Sequence, residues 1–262
     1  MNIDIDDLHV HYRLDTVLPE GIDHRHCHDR YEILYLRDGS GKCVIEGRDV
    51  DLQPGTVIIV KPLVYHNLVL DPNVNYERYV LQFNLSSLVG ETAEMLTSSF
   101  PSGDETGGLF SCKSIDAQTG AVFERFDTVT SLPEPKRRTY MRLLISQLMI
   151  LLTTAPDTRS YYDRAELGAR VIEYLNGNID RSITLDELSR RFFVSKYYLC
   201  RAFKKHNGIS VHGYINQKRI MYAKQLIELG ETASGAAYKV GFGDYSAFYR
   251  AYVKIIGKSP TE

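Results

Sequence analysis

One feature limits what this 262-residue chain can fold into more than any other: a segment near its end is written twice. Ser195–Gly208 (SKYYLCRAFKKHNG) and Asp244–Gly257 (DYSAFYRAYVKIIG) lie 49 residues apart and agree wherever a short packed helix must be specified. Ser195 and Asp244 are N-cap formers whose side-chain oxygens can accept a free first-turn amide. Leu199 and Phe203 correspond to Phe248 and Tyr252, an i, i+4 apolar pair that pins one helix face to a core. Arg201 and Lys205 correspond to Arg250 and Lys254, and Gly208 corresponds to Gly257, a left-handed stop. A repeat that keeps caps, anchors, stops and an outward arginine predicts two helix-turn-helix units.

Charge becomes informative once the chain is divided. Residues 166–262 carry 15 Lys/Arg against 9 Asp/Glu, a balance of +6, whereas residues 1–165 carry 16 against 24, a balance of −8. A basic unit fused to an acidic one predicts that only the C-terminal part meets a polyanion. No apolar run is long enough to span a bilayer, and MNIDIDDLHV has no basic or apolar region of a signal peptide. Cys27, Cys43, Cys112 and Cys200 are scattered without a CxxC, which fits reduced thiols. The expectation is a cytoplasmic protein with no membrane partner.

Residues from about 8 to 85 read as closely spaced strands. YEILYL, KCVIEG, TVIIV and YERYVLQF are β-rich and are punctuated by turns such as RDGSG and LQPG. This pattern predicts an all-β barrel or jelly roll. Within it, His26 and His28 share one face of a strand, Glu32 follows with the same parity, and Pro54-Gly55 precedes His66. The set resembles the cupin motif pair, in which these positions hold one divalent ion; sensory cupins carry the same histidines as pocket lining. Three imidazoles and a carboxylate suit Zn, Fe, Mn or Ni. His26, His28, Glu32 and His66 therefore line an effector pocket or hold a metal, and Cys27 points to the other side.

From Ser86 to residue 152 the pattern becomes helical. Asp116–Thr130 offers Val122, Phe123, Phe126 and Val129 at helical spacing. Residues 136–152 carry a wide stripe of Met141, Leu144, Ile145, Leu148, Leu151 and Leu152. The stripe packs on the barrel, pairs with its copy in a homodimer, or does both. TTAPDTRS breaks the pattern, so residues 153–164 are expected to be a linker.

The unit 165–262 opens with a helix over Ala165–Asn176. Thr184-Leu-Asp-Glu187 is a capping box that starts a supporting helix, and Ser195 caps the second. On that second helix Leu199, Ala202 and Phe203 face inward, leaving Lys196, Tyr197, Cys200, Arg201 and Lys204 outward. Tyr214–Leu229 forms the next helix, a spacer of about 24 Å between the two repeats. Basic residues such as Lys218 suit phosphate or open solvent.

Here the resemblance becomes specific. Ile183 to Pro260 resembles the tandem helix-turn-helix domain of the AraC/XylS transcription regulators. The residues carrying it include Leu188, Val194-Ser195, Leu199, Arg201, Phe203-Lys204-Lys205, Gly208, Tyr214, Arg219, Ala223, Ala237, Gly241-Phe242, Phe248, Arg250, Gly257 and Ser259-Pro260. The resemblance implies two reading helices in adjacent major-groove segments. Its base-facing positions fall on Tyr197, Cys200 and Arg201, and on Tyr245, Ser246, Tyr249 and Arg250. Chemistry lets the arginines read guanine and gives Lys196, Lys204 and Lys205 phosphate-positioning roles. Ala233 and Ala236 stand where the family carries larger aliphatics, and Gly235 weakens the same helix, so the second unit is expected to be the weaker.

The whole reads as a promoter-binding regulator, an activator that contacts RNA polymerase by family resemblance. A small molecule bound in its barrel would change how the 136–152 layer packs. No cofactor is required. The other reading is a metal-dependent cupin enzyme with a regulatory DNA-binding tail.

Overall fold

The computed structural model describes residues 2–5, 8–15, 26–71, 74–100, 110–112, 115–154 and 167–261. Most of the expected linker and Ala165 lie outside the described residues. Two antiparallel sheets form the N-terminal part. The first has the order β1 (Asn2–Ile5), β2 (Leu8–Asp15), β8 (Tyr76–Phe83), β3 (Tyr31–Asp38), β6 (Val57–Val60) and β9 (Phe110–Cys112). The second runs β5 (Arg48–Leu52), β4 (Gly41–Ile45) and β7 (His66–Leu70).

Parity in β3 explains the layers. Ile33 and Tyr35 face one core, shared with α2 (Ala117–Val129) and α3 (Lys136–Thr154). Leu34 and Leu36 face another, filled from the second sheet by Cys43, Ile45, Val50, Leu52 and Leu70. A strand buried on both faces needs a near-continuous apolar run, and YEILYL supplies it. The 3₁₀ turn Leu85–Ser87 and α1 (Thr92–Ser98) lead into that helical layer. β9 adds a strand to the sheet from a stretch expected to be loop and helix. It pairs with β6 through Val57↔Cys112 and Ile59↔Phe110.

Met141, Leu144, Ile145, Leu148 and Leu152 are buried on the barrel, and Leu151 packs against the same core. The stripe is therefore engaged within the chain, and a second copy would have to use another face of α3.

Six helices follow: α4 (Leu167–Asn176), α5 (Leu185–Arg191), α6 (Lys196–Asn207), α7 (Val211–Glu228), α8 (Ala233–Lys239) and α9 (Tyr245–Ile256). Two cores hold them, one around Leu188, Leu199, Phe203 and Tyr214, the other around Ile220, Ala236, Phe248 and Tyr252. α7 contributes to both, and it begins three residues earlier than expected because Ser210 caps it by accepting the Gly213 amide. Its 18 residues span about 27 Å.

Candidate functional site

The caps fall where the repeat placed them. The Ser195 hydroxyl accepts the Tyr198 amide at 3.2 Å, and the Asp244 carboxylate accepts the Ser246 and Ala247 amides at 3.2 and 2.8 Å. Gly208 and Gly257 close α6 and α9 with φ of 71° and 83°. The turns between support and second helix are also equivalent, at an offset of 48. Val194 N–H donates to Ser189 C=O as Phe242 N–H does to Ala237 C=O. The left-handed residue is Phe193 in one turn and Gly241 in the other. The second turn thus carries one extra residue before its cap, which is why the second helices align at 49.

The capping box is only half made. Thr184 accepts the Glu187 amide at 3.1 Å. The Glu187 carboxylate turns instead to the Arg181 guanidinium at 2.6 Å and the Tyr174 hydroxyl at 2.5 Å. Those two donors hold its pKa down at about 2.

Lys196, Tyr197, Arg201, Lys204 and Lys205 on α6 are exposed, as are Tyr245, Ser246, Tyr249 and Arg250 on α9. Cys200 is half-buried. The Lys196 ammonium sits 2.6 Å from Asp186, an exposed pair that contributes little. Among the described residues Arg201, Lys204, Lys205 and Arg250 have no ion-pair partner. Beneath them α7 works as a tie. Arg219 donates to the carbonyls of Ile179, Arg181 and Gly241 at 2.8, 2.5 and 3.0 Å, joining the segment before α5 to the second turn. Gly241 has to be glycine there, since a Cβ would lie 2.5 Å from the Asp180 carbonyl.

Lys218 corrects an expectation. It is not at the surface: its ammonium lies 2.7 Å from the buried Glu46 carboxylate of the barrel. Glu46 and Gly47 form the β4–β5 turn, with φ of 47° and 78°, the two positive values of a type I′ hairpin. The Glu46 carboxylate also accepts the Tyr65 amide at 3.1 Å and the Tyr214 hydroxyl at 2.7 Å. Burial, with the Glu46 charge beside it, pushes the Tyr214 phenol well above its usual range. The hairpin tip meets α6 so closely that a Cβ on Gly47 would be 2.2 Å from His206 Nε2. Asp29, from the loop before β3, pairs with Lys224 on α7. The sequence marks little of this contact, because a turn glutamate looks solvated and a helix lysine does not name its partner.

His26, His28, Glu32 and His66 do come together; their ligand atoms all lie within 4.8 Å of one another. Glu32 is the second residue of β3, with the parity of Leu34, and stands across from Gln82 of β8. Its carboxylate lies 3.0 Å from His28 Nε2 and accepts the Gln82 amide at 2.7 Å. Gln82 was not anticipated; its place opposite Glu32 follows only once strand register is known. Burial would raise the Glu32 pKa, yet His66 and His28 hold it well below the carboxylate range. Burial likewise opposes the charged form of His66, but Glu32 raises its pKa. Cys27 faces the opposite side, in the core of the first helix-turn-helix unit, where burial pushes its thiol up to about 12.

The cluster fits a metal by an observation beyond its composition. His66 Nε2 is buried, 3.4 Å from Glu32, and makes no hydrogen bond. Three imidazoles and one carboxylate would hold a divalent ion and supply it with a neutral-to-anionic, borderline-soft shell. A cavity of about 890 Å³ lies elsewhere, between barrel and helices, bordered by Asp29, Lys61, Lys218, Tyr222 and Gln225.

Comparison with known proteins adds the lineage. A family model described as an AraC-like ligand binding domain matches residues 20–159, and one described as a helix-turn-helix domain matches residues 188–262. The HTH-type transcriptional activator RhaS of Escherichia coli is 25% identical over 259 residues, covering 95% of this chain and 90% of that protein. RhaS of Mannheimia succiniciproducens is 21% identical over 250 residues, covering 95% and 92%. Among solved structures, an apo ToxT variant from Vibrio cholerae aligns over 98% of this chain and 97% of its own, at 15% identity and a TM-score of 0.45. Its relatives are transcriptional regulators, and with a ligand-binding barrel joined to a pair of helix-turn-helix units, the chain belongs to the AraC family of DNA-binding transcription regulators.

Proposed function

We propose that α6 and α9 read promoter DNA as a pair and that the chain activates transcription from there. The observation that carries this is the exposure of Arg201 and Arg250 on two capped helices held on one shared strut. Arg201, with Tyr197 and Cys200 beside it, contacts bases; Arg250 does the same with Tyr245, Ser246 and Tyr249. Lys196, Lys204 and Lys205 contact phosphates. Activation agrees with the name of the RhaS relatives, and its route through RNA polymerase is what the AraC/XylS resemblance implies. The active form is a cytoplasmic homodimer, and its effector binds at the His26, His28, Glu32 and His66 cluster. The space between the two sheets is packed largely with apolar side chains, and the cluster brings four polar ligand groups together in the barrel. We read it as a sensing site and not as the centre of an enzyme.

Promoter footprinting tests the DNA half. Arg201→Ala should lose about 1–3 kcal/mol of discrimination at one base position. Lys205→Ala should weaken binding to all sequences and reduce the salt slope by about one. Unchanged promoter affinity in both variants would remove α6 from the interface.

A further inference from the structure

We infer that the effector of this regulator is a divalent transition-metal ion held by His26, His28, Glu32 and His66, and that the ion acts on the DNA-binding unit through the residues interleaved with its ligands. The inference rests on the cluster being the sensing site.

The first argument is orientation. His28 Nδ1 lies 3.0 Å from the Arg30 carbonyl and His66 Nδ1 lies 2.9 Å from the Val64 carbonyl. A carbonyl only accepts, so each Nδ1 carries the proton and donates, and in the neutral ring Nε2 is left with its lone pair. Both Nε2 atoms face Glu32, at 3.0 and 3.4 Å. Gln82 fixes the carboxylate from the other side at 2.7 Å. Facing a carboxylate, each Nε2 calls for positive charge beside it, either a second proton on the ring or a metal ion in that proton's place. Outer hydrogen bonds that fix the tautomer of a ligating histidine are what metal centres carry.

The donor set decides the class of ion. Calcium and magnesium take oxygen shells and gain little from imidazole. Three nitrogens and one oxygen favour zinc or a neighbouring first-row ion. Bonds of about 2.0–2.1 Å in a tetrahedron put ligand atoms roughly 3.3 Å apart, so a cluster spread over as much as 4.8 Å closes by small shifts.

The second argument is what alternates with the ligands. Cys27, between His26 and His28, is buried among Val171, Leu199 and Phe203 of the first helix-turn-helix unit. Asp29 pairs with Lys224, and its carbonyl accepts the Gln225 amide at 3.2 Å. Tyr65, next to His66, donates its hydroxyl to Gln217 and lies tilted against the Tyr214 ring, with centroids 5.4 Å apart. Gln217, Lys224 and Gln225 all lie on α7. The ligand segments are tied together as well, because His26 and His66 exchange backbone hydrogen bonds of 3.0 and 2.9 Å. Drawing the imidazoles onto an ion therefore moves, as one piece, the backbone whose other face grips α7.

The experiment uses untagged full-length protein, stripped with chelator and titrated with Zn²⁺, Ni²⁺, Mn²⁺ and Mg²⁺ by calorimetry. Hydrogen exchange of α7 and promoter affinity are read in parallel. One transition ion should bind per chain, Mg²⁺ should not compete, and α7 exchange should slow at least tenfold on loading. His26→Ala, at an exposed position, should weaken the ion at least a hundredfold while leaving the fold intact. Asp29→Asn keeps all four ligands, so it should bind Zn²⁺ as wild type does while losing most of the effect on α7. Transition ions that bind no better to wild type than to His26→Ala would overturn the site. Stoichiometric binding that leaves α7 exchange and promoter affinity unmoved would overturn the coupling. Either result would leave the regulator reading standing, since that fails only if promoter DNA is not bound with or without metal.

Discussion

Removing the Glu46 carboxylate should release the barrel from the DNA-binding unit. In Glu46→Ala three donors lose an acceptor: the Tyr65 amide, the Tyr214 hydroxyl and the Lys218 ammonium, now at 3.1, 2.7 and 2.7 Å. Tyr214 keeps Asn176 at 2.8 Å, so its loss is small. Lys218 keeps the weaker cation–π contact with the Tyr214 ring, 5.3 Å from its ammonium, and the two side chains are only 9% and 1% exposed. Stripping one partner from a buried pair costs about 3–5 kcal/mol, mostly the uncompensated charge left behind. Both glutamate and alanine are L-residues at the positive φ of 47°, so the backbone cost cancels in the comparison. At about 1.4 kcal/mol per tenfold, the docked state should lose at least a hundredfold in population. A double-mutant cycle with Lys218→Met, which keeps the aliphatic stem, isolates the charge. Docking is read by hydrogen exchange at Tyr65, the β4–β5 turn and the first half of α7, and stability by urea unfolding. The double variant should be more stable than Glu46→Ala alone, with a coupling of about 1–3 kcal/mol. Single effects that add to within about 0.5 kcal/mol, or an unaltered exchange pattern in Glu46→Ala, would refute the pair as the fastening between the two parts.

Three other outcomes follow from the same geometry. Gly47→Ala should cost about 1–2 kcal/mol in backbone strain at positive φ, plus the displacement of His206. Combining it with His206→Ala in the urea assay should return the steric part only. Raising the pH should loosen α7. Burial opposes the Lys224 charge, but Asp29 and Glu228 raise its pKa above 10.5. The stability it contributes is thus complete below 10.5 and lost as pH climbs through the higher folded value. The urea midpoint should therefore hold up to about pH 10.5 and fall above it, and the fall should be smaller in Lys224→Gln. Finally, Leu143 and Ile150, seven residues apart on α3, are 49% and 46% exposed. If that face joins two copies, Leu143→Glu should convert dimer to monomer in sedimentation at micromolar concentration without changing the thermal midpoint by more than about 2 °C.

What the sequence revealed and what it hid divide along a physical line. Caps, stops and the apolar pairs of α6 and α9 depend on residues within four positions of one another, so the repeat displays them directly. The His26, His28 and Glu32 trio is local too, and His66 was reachable because the motif spacing carries it. Glu46, Lys218 and Gln82 depend on partners 172 or 50 positions away, and no period in the sequence encodes those partners. One sign was present: Lys218 lies four residues after Tyr214 and three after Ile215, on the buried face of α7. A lysine within an apolar stripe points to a buried partner, though not to which one. Glu187 shows the converse, since its capping-box spacing was right but Arg181 and Tyr174 compete for the carboxylate and win. The smaller second core was legible from its alanines. Of the two alanines singled out, Ala236 is buried beside Val240 and Phe248 and Ala233 is half-buried, while Ile220, Leu226 and Ile227 of α7 supply the larger aliphatics of this core.

The docked arrangement also restricts how control can operate. The barrel touches the C-terminal end of α6 at His206 and one flank of α7, yet Arg201, Tyr197 and Arg250 remain exposed. The barrel leaves these side chains, proposed above to read DNA, uncovered, so uncovering them cannot be what an effector achieves. What the contacts at Glu46, Asp29 and Tyr65 fix is the attitude of α7, the one helix shared by both cores. Two reading helices on one strut engage successive groove segments only when that strut is held at the right angle to the DNA and, in a dimer, to its partner. An effector shifts this equilibrium only by the difference in its affinity for the two attitudes. The ligand cluster and the α7 contacts occupy alternate residues of the same backbone, which is the arrangement in which such a difference can arise without any contact between effector and DNA-binding helix.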